Sequence, residues 1–216
     1  DRLARTPADE VTAHPAAADF PGTVPTDAPR VTQTVRVDTR VPRWHSTGLY
    51  AAPGEKITVT IPAAAAGKGL ALRVGCHTDG LWQRPDWWRF PAITRSFELK
   101  GERTTAAGAF GGLVYVDVPA QSTLGEVDVT ITGAVPAPLF VLGQTSPEEW
   151  RGSIRLRPAP WAELASGKLI ITVPSDNVRT LDEPADLMAF WDSVMDACAD
   201  LAATDRVRRS PERYVA

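Results

Sequence analysis

Four short stretches constrain the fold of this chain more than anything else in it. Ile57, Val59 and Ile61 alternate with Thr58 and Thr60, and Leu70, Leu72 and Val74 with Ala71 and Arg73. Val114, Val116 and Val118 alternate with Tyr115 and Asp117, and Val127, Val129 and Ile131 with Asp128 and Thr130. Successive side chains of a strand point to opposite faces, so apolar residues at every second position describe strands buried on one side only. Pro53-Gly54, Gly67 to Gly69, Gly111-Gly112, Gly125 and Gly133 punctuate these runs. Gly and Pro there supply the turns that helices would otherwise have to bridge. The pattern predicts an antiparallel β-sandwich over residues 31–142, jelly-roll-like or immunoglobulin-like. Val-Thr-Ile occurs at both 59–61 and 129–131, which reflects shared strand composition and not a repeat.

Residues 1–30 read differently. Pro7, Pro15, Pro21, Pro25 and Pro29 exclude long regular elements and predict an extended lead-in draped over the body, anchored by Phe20. Residues 143–216 form a third region, a small α/β segment. Ser146-Pro147-Glu148-Glu149 is a helix start, with a Ser cap, Pro at the first helical position and Glu at the third. A strand is expected over 153–157, a helical turn over 160–164 and a further strand over 168–173. Thr180 to Glu183 reads as a second capping box, opening a long helix over about 183–203. Its apolar stripe is Leu187, Phe190, Trp191, Val194, Cys198 and Leu201, opposite Asp186, Asp192, Asp196 and Asp200. The polar tail from Thr204 is expected to be a linker.

Composition removes several classes of function. A net charge of −3 lacks the basic excess of a nucleic-acid binder. No apolar run approaches the length of a membrane span, and no signal-like segment opens the chain. Cys76 and Cys198 are expected to be buried free thiols, although they could pair. His14, His45 and His77 are the only histidines, and none has HExxH spacing, so zinc chemistry is not encoded here.

The candidates for covalent chemistry are weak. His45 and Ser46 are neighbours, but the members of a catalytic triad meet through the fold and not along the chain. The bland reading of that segment is a strand entry with Trp44 tucked under the sheet. Gly108 to Gly112 has the glycines of a phosphate loop without the Lys-Ser/Thr that follows one, and is expected to be a tight loop. Asp79, Asp86 and Glu98 could supply a carboxylate pair, but nothing in the sequence fixes their separation.

The strongest signal lies at 75–91, GCHTDGLWQRPDWWRFP, which holds three of the chain's seven tryptophans. Trp82, Trp87 and Trp88 offer aromatic faces on which the C–H faces of sugars stack. His77, Asp79 and Arg89 offer polar groups for their hydroxyls. The opposing reading is a structural plug, with Trp88 and Phe90 turned inward and His77 and Asp79 bracing the loop. At least one of the three tryptophans is expected to face water, Trp87 first.

Several segments in order resemble a known family. They are WHSTGLYAAPGE at 44–55, VGCHTDGLW at 74–82, Arg89-Phe90-Pro91, FGGLVYV at 110–116, APLFVLG at 137–143, and PAPWAEL through VPSD at 158–176. Together they are similar to the enhancin-like zinc metallopeptidases (peptidase family M sixty), secreted enzymes that attack mucin-type glycoproteins. The resemblance implies a β-sandwich and connecting region preceding the catalytic part, whose zinc helix with HExxH comes later. It therefore implies a non-catalytic N-terminal portion that scaffolds the protease core and helps to recognise glycoprotein or glycan. Further implications are a partner in its own C-terminal peptidase domain, a secreted or cell-surface location, and zinc only in that catalytic part. No catalytic or metal-binding position is carried over. Two alternatives stand beside this: a stand-alone carbohydrate-binding sandwich, and an interaction domain whose helix stripe docks on another chain.

Overall fold

A computed structural model describes residues 2–216. The chain divides into two compact units, one up to Pro136 and one from Ala137 onward. The first is mainly β. After a short helix α1 (Arg2–Arg5) come strands β1 (Val31–Asp38), β2 (Arg43–Ala51), β3 (Ile57–Thr60) and β4 (Ala71–Val74). They are followed by β5 (Arg95–Glu98), β6 (Arg103–Ala106), β7 (Gly112–Val118) and β8 (Glu126–Pro136). All join one eight-stranded sheet in the order β5-β4-β7-β2-β8-β3-β6, with β1 attached to β8.

Every pairing in this sheet is antiparallel, and strand β8 holds it together. Along most of its length β8 pairs with β1, Val35 opposite Val129, and also with β3, Val59 opposite Ile131. At its far end Val135 and Pro136 pair with Tyr50 and Leu49 of β2. A register shift in β2 between Ser46 and Tyr50 accompanies this second pairing, and Tyr50 lies between Leu113 of β7 and Val135 of β8. The sheet thus curls round its own interior and is nearly barrel-like.

The alternating residues fill that interior. Ile57, Val59, Ile61, Leu70, Leu72, Val74, Val114, Val116, Val118, Val127, Val129 and Ile131 form one buried cluster. Each such side chain contributes about 1.5–3 kcal/mol relative to exposure. The intervening threonines point outward, where Thr32 and Thr132 hydrogen-bond across strands at 3.1 Å and Thr34 and Thr130 at 2.8 Å. Such pairs stabilise a solvent-facing sheet surface.

The second unit contains β9 (Leu139–Val141), α2 (Pro147–Gly152), β10 (Trp161–Ala165), β11 (Leu169–Pro174), α3 (Pro184–Leu201) and β12 (Glu212–Val215). Its sheet runs β12-β11-β10-β9. The central pair is antiparallel, and both outer strands join it in parallel. The capping box at Ser146 forms: its Oγ accepts from the Glu149 amide at 3.2 Å, and the Glu149 carboxylate accepts from the Ser146 amide at 3.3 Å. Trp150 is fully buried behind it, donating from Nε1 to the Leu181 carbonyl at 2.7 Å.

Several local expectations for this unit are corrected. Residues 153–157 are a 3₁₀ turn, Ile154–Leu156, and not a strand. Pro158 and Pro160 follow directly, and proline lacks the amide that a ladder needs. Residues 160–164 are not helical: Trp161 to Ala165 form β10, bonded to β9 and β11 on its two sides. Ala, Glu and Leu are good helix formers, but propensity is a small term, and burial on both faces overrides it. The tail after Thr204 is not simply a linker, because Glu212 to Val215 pair with β11, and Arg213 of that strand forms an ion pair with the buried Glu163.

Helix α3 also departs from expectation at both its start and its facing. Its N-cap is Glu183, with no side-chain capping bond. Asp182 and Glu183 instead accept from Arg155 at 2.6 Å and Arg151 at 2.8 Å. The buried positions are Pro184, Met188, Met195 and Ala199, while Phe190 is 60% and Leu201 91% exposed. Asp192 and Asp196 turn toward polar partners, Ser166 and Lys168. The helix is therefore rotated relative to the stripe read from sequence. Cys198 is exposed, Cys76 is buried, and both are free thiols.

Candidate functional site

The tryptophan-rich segment lies between β4 and β5. It leaves the sheet at Gly75, which has φ of 89° and donates its amide to the Leu113 carbonyl at 2.8 Å. Cys76 and His77 are still buried, and the Cys76 sulfur lies 3.6 Å from His77 Nδ1. Beyond Gly80 the chain emerges through a 3₁₀ turn, Leu81–Gln83, and Pro85 keeps it from winding further. Asp79 and Arg89 form an ion pair that draws the two sides of the loop together.

All three loop tryptophans are exposed: Trp82 by 63%, Trp87 by 49% and Trp88 by 98%. The most exposed is Trp88, not Trp87. Trp87 is partly covered because its ring meets that of Trp82 edge to face, with centroids 5.0 Å apart. Of the two rings expected to turn inward, Phe90 does so in part, against His14 at 4.7 Å and Phe110 at 5.2 Å. Trp88 does not.

The lead-in supplies the floor beneath the loop. Phe20 packs its edge on His77 at 4.6 Å and lies under the Arg89 guanidinium at 4.5 Å. His14 stacks on Phe110 at 4.9 Å. Arg95 anchors the same lead-in by donating to the Thr6 carbonyl at 2.8 Å. A recess of about 250 Å³ results, lined by Ala16, Asp19, Phe20, Trp87, Trp88, Arg89 and Phe90. Arg89 Nη1 is shielded from solvent there and has no acceptor among the described residues. Such a donor is costly to leave unpaired.

Of the six residues singled out from sequence, Trp87, Trp88 and Arg89 meet in this recess, Trp82 braces Trp87, and Asp79 holds Arg89. His77 lies below the surface, in contact with Phe20. Sequence reasoning did not place His14 or Asp19 here, and treated Phe20 only as an anchor. Nothing local marks a lead-in residue as the neighbour of a loop some sixty positions away, since only the fold joins them.

The other candidates do not assemble. His45 and Ser46 are consecutive on β2, opposite Val116 and Tyr115, so their side chains leave opposite faces of the sheet. His45 Nε2 is bonded to the Val41 carbonyl at 2.8 Å. Trp44 is not under the sheet but on the face away from the core, with the Arg73 guanidinium 3.5 Å over its ring. Asp117, opposite Trp44 in register, has its carboxyl raised above the usual range by burial, a rise that Arg73 and His45 oppose. Gly108 to Gly112 is a tight turn with φ of 63° at Gly111, where a Cβ would lie 2.3 Å from the Ala51 carbonyl oxygen. Glu98 pairs with Lys100 at 3.0 Å. Among the described residues, no three His, Cys, Asp or Glu side chains come together as a metal ion would need, and zinc has no fitting donor set here. No described helix is long and apolar enough to cross a membrane.

Two family models together match residues 26–216. One, the N-terminal domain of M60-like peptidases, matches residues 26–132, and the other, peptidase M60, enhancin and enhancin-like, matches residues 133–216. The chain belongs to the M60-like peptidase family. Among curated relatives, the human TRPM8 channel-associated factor 2 is 44% identical over 80% of this chain and 19% of its own length. The Xenopus laevis TRPM8 channel-associated factor homolog is 42% identical over 85% of this chain and 21% of its own. The chain thus spans about a fifth of these relatives. Among solved structures, the IMPa metallopeptidase of Pseudomonas aeruginosa aligns with a TM-score of 0.66 at 16% identity, over 94% of this chain and 28% of that one. The M60 catalytic domain of Clostridium perfringens ZmpC, solved in complex with the sialyl T antigen, aligns at 0.64 and 15% identity, over 85% of this chain and 43% of that one. At such identities the likeness of this M60-like chain to them is one of fold.

Proposed function

We propose that this chain is a non-catalytic N-terminal region of a secreted or cell-surface M60-like metallopeptidase. It scaffolds the protease core and helps to hold glycoprotein substrate through the 75–91 loop. The observation that carries the reading is the exposure of Trp82, Trp87 and Trp88 together, beside Arg89 and its unpaired shielded N–H. Exposed aromatic surface next to polar donors matches the mixed apolar and hydroxylated character of a sugar. That an M60 relative of similar fold was solved with a glycan bound is consistent with it. We read the curled sheet as a jelly-roll-like sandwich, on the ground that β8 bridges a β1-β3-β6 half and a β2-β7-β4-β5 half. The reading assigns zinc to catalytic residues other than those of this chain.

A second reading rests on a specific observation: the closer sequence identity is to TRPM8 channel-associated factors, at 42–44%. On that reading the chain is a protein-interaction region that docks on a membrane channel.

Retention on immobilised mucin-type glycoprotein separates the two. Trp82→Ala and Trp87→Ala are expected to abolish retention while the melting temperature stays near that of the parent chain. Retention unchanged in both variants, together with capture by detergent-solubilised TRPM8, would favour the channel-docking reading. One tightly held zinc per chain in metal analysis would overturn the non-catalytic assignment.

A further inference from the structure

The loop carries two recesses, and Trp88 stands between them. Beside the first, of about 250 Å³ against the lead-in, lies a second of about 380 Å³, lined by Leu81, Arg84, Pro85, Asp86, Trp88 and Arg89. Trp88 and Arg89 are the residues common to both. Ordinary ligand sites span roughly 300–1,000 Å³. The smaller recess falls short of that range and the larger barely enters it, whereas the two together lie well inside. Each recess also has its own exposed carboxylate, Asp19 in one and Asp86 in the other, and the second adds Arg84.

Trp88 is 98% exposed, so core packing does not explain its position. A ring left in water costs hydrophobic free energy that a ligand covering it would recover. Arg89, which lines both recesses, is held from two sides, by Asp79 through Nη2 and by the Phe20 ring, and its Nη1 is shielded without an acceptor among the described residues.

We infer that the two recesses are consecutive subsites for a single oligosaccharide, and that the smallest ligand engaging the site fully is a disaccharide straddling Trp88. One sugar unit occupies the lead-in recess beside Asp19, and the next lies beside Arg84 and Asp86. The accessible part of the Arg89 guanidinium, common to both recesses, donates to an oxygen near the linkage between them. The inference rests on the reading of this loop as a glycan contact. It also makes the lead-in part of the binding site, because Asp19 and Phe20 form one wall of the first subsite.

Calorimetric titration of the full chain with N-acetylgalactosamine, galactose and the galactosyl-N-acetylgalactosamine disaccharide tests it. The disaccharide is expected to bind at least about tenfold more tightly than either monosaccharide, and Trp88→Ala to remove that advantage. Asp19→Ala and Arg84→Ala, at exposed positions on opposite recesses, should each weaken the disaccharide about threefold or more. Equal affinity for monosaccharide and disaccharide, or sensitivity to only one of those two variants, would overturn the paired subsites and leave the glycan reading standing. No binding of any of the three sugars by the parent chain would overturn both.

Discussion

Trp150 and Trp88 are the same residue in opposite circumstances. Trp150 is fully buried, with Phe140 edge-on at 5.6 Å and its Nε1 donating to the Leu181 carbonyl. Trp88 has neither apolar cover nor a place in any of the buried clusters. A tryptophan combines the largest apolar area of any side chain with one polar handle. Where both are satisfied within the unit, the residue stabilises the fold. Where neither is, its free energy remains available to something else.

That contrast can be broken by substitution. Trp150→Ala leaves a large cavity and takes from the Leu181 carbonyl the shorter of its two hydrogen bonds, with Arg155 Nη1 remaining at 3.2 Å, and should destabilise the second unit by about 3–5 kcal/mol, measured by denaturant unfolding. A cost below about 1 kcal/mol would mean that burial alone does not distinguish the two rings. The next effect concerns a half-buried charge. Asp117 titrates above the usual carboxylate range in the folded chain, so its ionisation costs stability as pH rises through that raised value. Asp117→Asn should therefore raise the melting temperature at neutral pH, on the order of 1–2 °C, with the gain vanishing once pH falls below about 3.9. A variant less stable at neutral pH would show that the attraction to Arg73 and His45 outweighs desolvation. The smallest effect is expected at the loop, where Trp88→Ala should change stability by no more than about 0.5 kcal/mol. A loss of several kcal/mol would turn the platform into a plug.

Much of the first sheet was legible because β3, β4 and β8 alternate between the core and the outer face, while β7 keeps the same alternation although it is buried on both faces. Period-two alternation records that directly, and Ile57, Leu72, Val116 and Val129 all lie where it puts them. Helix α3 shows why the same logic can fail. Leu187, Met188, Phe190, Trp191, Val194 and Met195 spread over an arc of roughly 160° at 100° per residue, wide enough for two facings to compete. The choice is made by Asp192 on Ser166 and Asp196 on Lys168, partners that spacing along the helix cannot reveal. Strand β10 was misread for a related reason: a short apolar run carries no period of its own, and only its neighbours on both sides make it a strand. In the loop, residue types were legible and exposure was not. An exposed tryptophan is written with the same letter as a buried one, and the lead-in that floors the recess meets it only after folding.

The dependence of the first sheet on β8 has a consequence for how the chain is made. Thr32 and Thr132 are hydrogen-bonded across 100 residues of sequence. On the ribosome, β1 and β3 emerge long before Glu126 to Pro136 can join them, and β2 likewise waits for its second neighbour. During that interval those three strands lack the β8 edge they pair with in the folded sheet. Contacts so distant in sequence make closure slow and leave the nascent chain open to mispairing. The last strand of the unit to be synthesised is thus the one whose arrival lets β1 pair and the sheet close.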